Sequence, residues 1–346
     1  MNTRRATIAD VARRAGVAPS TASVVFSGKT PSSAATRQRV LDAAAELGYT
    51  GPDPRAASLR LGRSGIVGVV FEEHLGTAFL DPVNTVMMDG LADGVSPLGA
   101  GLLLLRDDDN EGRLPTLTSA PLDAAVLVGC SGRLRDSLAT VLRRGIPVVV
   151  IEGDAGDGVP QIDLDNREAQ QQMARHLRSL GHERVATVTL PTDAARLRGF
   201  IAAGAEVTVG VTRDRLDGLR DVYPDAVAYA AAASSIDEGL AAGRVLLAGG
   251  AARPTAVIAQ SDLLAAGVIR AAEEAGLRVP EDLSVTGFDG ITVDGLAPYR
   301  LTTMAQPAAD KGRAAGQAVA AMLGGEAAAS FRFTCTFRAG NTTGPA

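Results

Sequence analysis

The sequence predicts an α/β fold in three parts: a three-helix head, a short hinge, and a two-lobed core of parallel sheets covered by helices. Three observations carry this reading. Two short helical patterns flank a tight break near the N-terminus. From Gly65 onward, continuous apolar runs alternate with helical stretches, in two successive sets. Charge is divided between a basic head and an acidic body. The 346 residues suffice for two or three domains with a sizeable core.

The head is assigned to residues 1–49. Its first helix is expected from Ile8 to Ala15, with Ile8, Val11, Ala12 and Ala15 on one face. Thr7 caps it with Asp10 three residues on, and Gly16 supplies the left-handed residue after it. Pro19 starts the second helix at the position where a missing N–H costs nothing. Ala22, Val25 and Phe26 form its apolar face, and it ends near Ser27 and Gly28. A third helix runs through "SAATRQRVLDAAAEL", capped by Ser33 and stopped by Gly48, with Val40, Leu41, Ala44 and Leu47 as its stripe. Three helices with a short break between the first two make a helix-turn-helix.

On the second helix, Ser20, Ser23, Val24 and Ser27 form another stripe, turned away from the packed one. In a helix-turn-helix this helix lies in the major groove and meets base edges through its N-terminal residues. Small hydroxyls and methyls suit close approach to bases; a Ser-rich surface helix is the alternative. Charge favours the DNA reading: residues 1–63 hold ten Lys/Arg and four acids, +6, against −5 for the whole chain, which leaves −11 for the rest. One end of the chain is built for polyanions.

Residues 50–64 follow as the hinge. Pro52 and Pro54 stiffen it, and "RAASLRLG" is a helix of about two turns, too short to hold alone. Leu59 among Arg55, Arg60 and Arg63 has the make-up of a minor-groove wedge; a plain linker is the alternative.

The core, residues 65–346, carries strand-like runs at 66–71, 102–105, 124–129 and 147–151, then at 185–190, 206–210, 255–260 and 283–288. Helices are expected at 82–97, 134–144, 167–180, 236–247, 263–275 and 308–323. Such alternation means parallel sheets covered on both faces. Two sets mean two lobes, with a ligand site at the carboxyl ends of the strands between them.

The order "TIADVARRAGV", "STAS", "TRQRVLDAAAELGY", "GRSGIVGVV" resembles the LacI/GalR (lactose-repressor) family of bacterial transcription regulators, over nearly the whole chain. The resemblance implies a periplasmic-binding-protein-like core whose chain crosses between lobes: about 65–163 plus 306–330 in the first, 164–305 plus 331–346 in the second. It implies that Pro19, Ser20 and Ser23 read bases and that Leu59 is the wedge. Thr7, Thr21, Val24, Lys29, Arg37, Arg55, Ala56 and Arg60 complete the expected DNA surface. Ala18 stands where the family usually has Ser, Val24 where Arg or His is common, and "GPDP" replaces the usual run. In the core, Arg196 of "ARLRGF" falls on the ligand-clamping arginine and Asp289 of "GFDG" on the sugar-binding aspartate. Ser261 stands in place of the usual Asn, Gly290 in place of a second Asp, and Gln306 lies at the cleft rim. Asp81 and Glu152 are the candidates from the first lobe. For each, a helix cap or a surface charge is the alternative role. An Arg fork holds vicinal hydroxyls or a carboxylate, and a carboxylate accepts two hydroxyl protons. One Arg among carboxylates suits a neutral polyol.

The expected protein is a DNA-binding regulator, a repressor of carbohydrate-related genes controlled by a small sugar-like effector. It is expected to be a homodimer on a pseudo-palindromic operator, because one head reads a half-site. A sugar-binding protein without a transcriptional role is the alternative. No enzyme is expected. His74, His176 and His182 lack metal spacing, "GCSG" is one residue short of a nucleophile elbow, and no Gly-rich dinucleotide fingerprint follows the first strand. "RDDDNEG" at 106–112 reads as a solvated acidic loop. No cofactor or metal is expected. No signal segment or membrane span is read, and Cys130 and Cys335 lie far apart, so the expected compartment is the cytoplasm.

Overall fold

The computed structural model describes residues 6–27, 32–51, 62–71, 75–106, 116–129 and 134–346. They form two compact units, which divide between Ser64 and Gly65. The hinge residues 52–61, with Arg55, Ala56, Leu59 and Arg60, lie outside the described residues, as do Gly28, Lys29, His74, Cys130 and most of the acidic 106–112 loop.

In the head, α1 spans Ile8–Ala15, α2 Pro19–Ser27 and α3 Ala34–Glu46. Local chemistry sets these ends. The Thr7 hydroxyl accepts from Asp10 N while Thr7 N donates to the Asp10 carboxylate at 3.0 Å, a reciprocal cap. Gly16 closes α1 at φ +65°, and the Ser33 hydroxyl accepts from Thr36 N at 3.3 Å. Val11, Ala12, Ala15, Ala22, Val25, Val40, Ala43 and Ala44 form the core, and the Phe26 and Tyr49 rings meet edge-on. The expected stripe of α3 needs correction. Ala43 is buried, whereas Leu41 and Leu47 are each 38% exposed. The packed row is Val40, Ala43 and Ala44, which rotates Leu41 outward, and the helix stops at Glu46, one residue before Leu47.

The core has two sheets. Strands β1 (Ile66–Phe71), β2 (Gly101–Arg106), β3 (Ala124–Val128), β4 (Val148–Ile151) and β5 (Gln161–Leu164) belong to the first. Strands β6 (Val185–Thr189), β7 (Gly199–Phe200), β8 (Val227–Ala230), β9 (Ala256–Ala259), β10 (Ser284–Asp289) and β11 (Thr302–Ala305) belong to the second. Strand β12 (Phe331–Phe333) returns to the first sheet and β13 (Thr336–Arg338) to the second. The orders are β12-β5-β4-β3-β1-β2 and β13-β11-β10-β9-β6-β8-β7. The first sheet is parallel throughout, and the second is parallel except for its edges β7 and β13. The chain crosses between sheets after β5, after β11 and between β12 and β13. Because β12 pairs with β5, the last crossing follows Phe333 rather than residue 330.

Helices cover both sheets: α4 (Leu75–Ala78), α5 (Pro82–Val95), α6 (Thr116–Ser119), α7 (Leu134–Arg143), α8 (Asn166–Ser179), α9 (Gly210–Arg220), α10 (Ile236–Leu247), α11 (Asp262–Glu274) and α12 (Ala308–Leu323). The six expected core helices differ from these by two residues or fewer at either end. Helices α5 and α12 pack backbone to backbone: a Cβ at Gly90 would overlap the Ala309 carbonyl, and one at Gly312 the Met87 carbonyl.

The run at 206–210, expected as a strand, is a loop. Thr208 N and Val209 N both donate to the Thr192 carbonyl, at 2.9 and 3.1 Å, and Gly210 opens α9 instead. The strand beside β6 is β8, whose Ala-rich "VAYA" gave no apolar signal. Val207 is a buried loop residue in the cluster that also holds Leu216, Leu219 and Ile258.

Candidate functional site

On the head, the exposed edge of α2 begins at Pro19 and Ser20. Thr21, Ser23 and Val24 are half-buried, while Ala22 and Val25 face the core. The helix carries no charged side chain. Arg37 is exposed on α3, and Thr7 is occupied in the α1 cap. A small, uncharged, hydroxyl-bearing surface on the second helix matches base-edge contact in a major groove.

In the core, the polar groups gather where the carboxyl ends of the two sheets face each other. Asp81 caps α5, its Oδ1 accepting from Val83 N at 2.9 Å. Burial raises its pKa, against the opposing pull of the Val83 N–H, the nearby Ser234 hydroxyl of the second lobe, Arg215 and Lys311. Ser234 Oγ lies 3.0 Å from Ser261 Oγ, and Ser261 caps α11 by accepting from Leu264 N.

Glu152 follows β4 with φ +53°. Its Oε2 meets Lys311 Nζ at 2.5 Å and its Oε1 accepts from Asn166 Nδ2 at 3.3 Å. Burial pushes its pKa up, but the Lys311 ammonium and the Arg215 guanidinium outweigh it and hold the carboxyl below its ordinary range. Asn166 Oδ1 accepts from Arg215 Nε at 2.8 Å. Arg215 Nη1 donates to the Gln260 carbonyl at 2.6 Å, and the guanidinium lies 3.5 Å from the centre of the Phe288 ring.

Asp289 ends β10 at φ +114°. Gln306 binds it twice: Nε2 donates to its Oδ1 at 2.6 Å, and the backbone N–H to its carbonyl at 3.0 Å. Gln306 Oε1 is buried without a donor. Burial drives the Asp289 pKa well above the ordinary range; Arg215 and Gln306 oppose this, while Asp81 and Asp262 reinforce it. Asp262, at the start of α11, accepts from Thr303 Oγ1 at 2.7 Å and Ile291 N at 2.8 Å, and its pKa is pushed up to about 7 by burial.

The structure therefore brings Asp81, Glu152, Ser261, Asp289 and Gln306 together. Arg196 lies in the turn before the edge strand β7, half-buried, with its N–H on the Asp193 carboxylate at 3.1 Å. The cation that acts on the Asp81, Glu152 and Asp289 carboxyls is Arg215, which the sequence reading passed over. No spacing singles it out: Arg-x-x-Gly occurs at Arg13, Arg178, Arg196, Arg215 and Arg313 alike. Lys311 had a signal: it is one of only two lysines in a chain rich in arginine. Asn166, Ser234, Asp262 and Phe288 carried none that stood out.

Glu152, Arg196 and Asp289 are the only non-glycine residues with positive φ among the described residues, and all three were singled out by sequence. Strain of this kind costs of order 1–3 kcal/mol each and collects at functional sites. Among the described residues no cluster of His, Cys, Asp or Glu could hold a metal ion, and no helix is long and apolar enough to cross a membrane. His182 is part of the scaffold, bonded to Thr255, Ser284 and the Gly344 carbonyl at 2.9–3.0 Å.

Residues 7–51 match the bacterial regulatory proteins of the lacI family, and residues 174–343 a periplasmic binding protein-like domain. An HTH-type transcriptional regulator of Mycobacterium tuberculosis is 34% identical over 327 residues, covering 91% of this chain and 90% of its own length. The regulator IpsA of Corynebacterium glutamicum is 30% identical over 363 residues and 98% of each chain. Among solved structures, the regulator CelR in complex with cellobiose is 25% identical with a TM-score of 0.67, covering 98% of this chain and 100% of that one. The lac repressor dimer bound to operator and the anti-inducer ONPF, at 22% identity, shows the same fold with a TM-score of 0.78 over 99% of this chain and 100% of that one. This chain belongs to the lacI family of bacterial regulatory proteins, and it is a helix-turn-helix transcriptional regulator with a periplasmic-binding-protein-like core.

Proposed function

We propose that the interlobe cleft holds a small, neutral, polyhydroxylated effector, and that the chain acts in the cytoplasm as a homodimeric repressor of carbohydrate-related genes, without catalysis. The observation that carries the effector class is the Gln306–Asp289 pair. Gln306 Nε2 is committed to Asp289, which fixes the amide orientation and leaves Oε1 buried with no donor. A buried acceptor left unmet costs roughly 1–3 kcal/mol. A ligand hydroxyl meets it, and a second hydroxyl meets the other Asp289 oxygen. Both cations at the site already have partners, Lys311 in Glu152 and Arg215 in Asn166 and the Gln260 carbonyl. Acceptors are therefore in surplus, which favours hydroxyl donors over a phosphate or carboxylate. The CelR structure holds cellobiose, and a regulator of this family from Enterococcus faecium holds ribose.

In this reading Pro19, Ser20, Thr21, Ser23 and Val24 contact bases, with Thr7 and Arg37 at the backbone, and two heads read a pseudo-palindromic operator. Lys29, Arg55, Ala56, Leu59 and Arg60 complete that surface on sequence grounds. The test is a thermal-shift and calorimetric screen against cellobiose, maltose, galactose, ribose and their phosphorylated forms, followed by operator selection from random DNA with and without the hit. Binding confined to phosphorylated or carboxylated compounds would overturn the neutral-polyol reading.

A further inference from the structure

Four side chains form an unbroken line across the lobe junction: Lys311, Glu152, Asn166 and Arg215. The first two belong to the first lobe, Glu152 at the end of β4 and Lys311 on α12, which packs against α5. The last two belong to the second, on α8 and α9. Lys311 is fully buried, and Asn166 and Arg215 are nearly so. We propose that Asn166 is the positioning residue for Arg215: it transmits the state of the first lobe, through Glu152, to the guanidinium at the cleft floor. This rests on the cleft being the effector site and adds the route by which that site senses the lobe arrangement.

Asn166 is the first residue of α8, directly after the first crossing. The neighbouring Asp165 makes no side-chain cap for α8; its Oδ1 instead accepts from Cys335 N at 2.8 Å, tying this crossing to the last one. The two residues therefore hold the junction together, and only Asn166 reaches charged groups on both sides. A carboxamide is the short side chain that fits there. Its amide donates toward a carboxylate while its oxygen accepts from a guanidinium. Aspartate keeps the acceptor and loses the donor, setting two carboxylates against each other. An apolar residue leaves both charges short of a partner in a buried place, which is costly.

Within this line the Glu152–Asn166 link is the one that joins the lobes, the Lys311–Glu152 and Asn166–Arg215 links each lying within one lobe. A lobe movement therefore acts on that central link. When it parts, the amide of Asn166 is freed to turn, and Arg215 Nε loses its fixed acceptor. The guanidinium remains held by Nη1 on the Gln260 carbonyl and by the Phe288 ring, so it swings rather than leaves.

The experiment uses the full-length protein labelled with nitrogen-15 in arginine, without effector. The Nε–H signal of Arg215 is identified by its loss in Arg215→Lys, and its exchange with water is measured. Slow exchange is expected in the native protein. Glu152→Gln keeps an oxygen for Lys311 but turns an amide toward Asn166. Glu152 makes no contact with Arg215 Nε, yet this change is expected to speed Arg215 exchange at least tenfold. Asn166→Asp is expected to keep Nε–H protected and to abolish any further effect of Glu152→Gln in the double variant. Arg215 exchange within twofold of native in a folded Glu152→Gln protein would overturn the proposal, as would a full Glu152→Gln effect in the Asn166→Asp background. Because no ligand enters the measurement, failure to bind any saccharide would tell against the cleft reading alone.

Discussion

Gln306 grips Asp289 from two directions, its side-chain amide on the carboxylate at 2.6 Å and its backbone N–H on the carbonyl. The second crossing is thereby fastened to the end of β10, where Asp289 holds φ +114°. A buried carboxyl with a raised pKa, in a strained backbone, beside an unmet amide oxygen, is a poor arrangement for stability and a good one for receiving hydroxyls. Asp289→Asn keeps the size and tolerates positive φ, but offers one acceptor instead of two. It is expected to weaken effector binding by roughly 1.5–3 kcal/mol, the value of a hydrogen bond to a charged group. Operator affinity without effector should stay unchanged. The same variant should melt no lower than native at neutral pH, since burial already disfavours the ionised carboxyl there and the amide keeps an acceptor for Gln306 Nε2. Calorimetry and thermal unfolding on one preparation check both, and a loss of stability with intact effector affinity would reverse the argument.

Arg215 and Arg196 make a contrasting pair. Arg215 is buried and acts on three carboxyls, whereas Arg196 sits half-buried in a turn before an edge strand. Arg215→Lys keeps the charge but loses the planar fork over Phe288. It is expected to reduce effector affinity at least tenfold, about 1.4 kcal/mol. Arg196→Ala should change it by less than about threefold. Titration calorimetry decides, and equal losses would give Arg196 and Arg215 the same weight in effector binding.

Asp262 sets a pH dependence. Its carboxyl is pushed up to about 7 by burial, from an ordinary value of 3.8. Between these values the folded protein holds a proton that the unfolded chain has released, so stability falls as pH rises from about 4 to about 7. At 1.36 kcal/mol per pH unit, the effect is of order a few kcal/mol. The half-buried His176 and the buried His182 have lowered pKa values and act oppositely, losing stability as pH drops below the ordinary 6.5. The comparison that isolates Asp262 is native against Asp262→Asn in urea at pH 5 and pH 7. The variant should gain relative stability toward pH 7, and parallel profiles would show that Asp262 stays ionised throughout.

Gly290, which the resemblance sets at the position of a second aspartate, has φ +74°, and a Cβ there would overlap that of Ala305 on β11. Gly290→Asp is expected to cost roughly 2–4 kcal/mol from the left-handed backbone and the overlap together. It should not improve effector binding. Thermal unfolding measures the first and calorimetry the second.

How far the sequence reached depended on the range of the interactions involved. Helices α1 to α3 were legible because Thr7, Gly16, Pro19 and Ser33 act within a few residues of themselves. The core helices were legible from periodicity. Strand β8 was missed because Ala228 and Ala230 are buried by their place beside β6 and carry little hydrophobic weight of their own. In the cleft, Asp289 and Gln306 were found by resemblance. Arg215, Asn166 and Lys311 were not, since their roles come from partners 14 to 159 residues away that only the fold brings together.

DNA binding should reside in the head and depend steeply on salt. Residues 1–63 carry +6 on a chain of −5, and each neutralised phosphate releases counterions. Affinity for a selected operator is expected to fall by orders of magnitude between roughly 50 and 200 mM salt. Within the head the side chains divide by position. Ser20 and Ser23 lie on the uncharged outer edge of α2, so Ser20→Ala and Ser23→Ala should lower operator affinity while leaving binding to scrambled duplex, and the salt slope, as they were. Arg37, exposed on α3, has no base-reading geometry in this motif. Arg37→Ala should weaken selected and scrambled DNA alike and reduce the salt slope by about one. A fragment beginning at Gly65, the start of the second compact unit, should bind no DNA. Gel shifts on both duplexes at three salt concentrations separate these outcomes. Operator affinity retained by the fragment would place the reading surface in the core and remove α2 from its role.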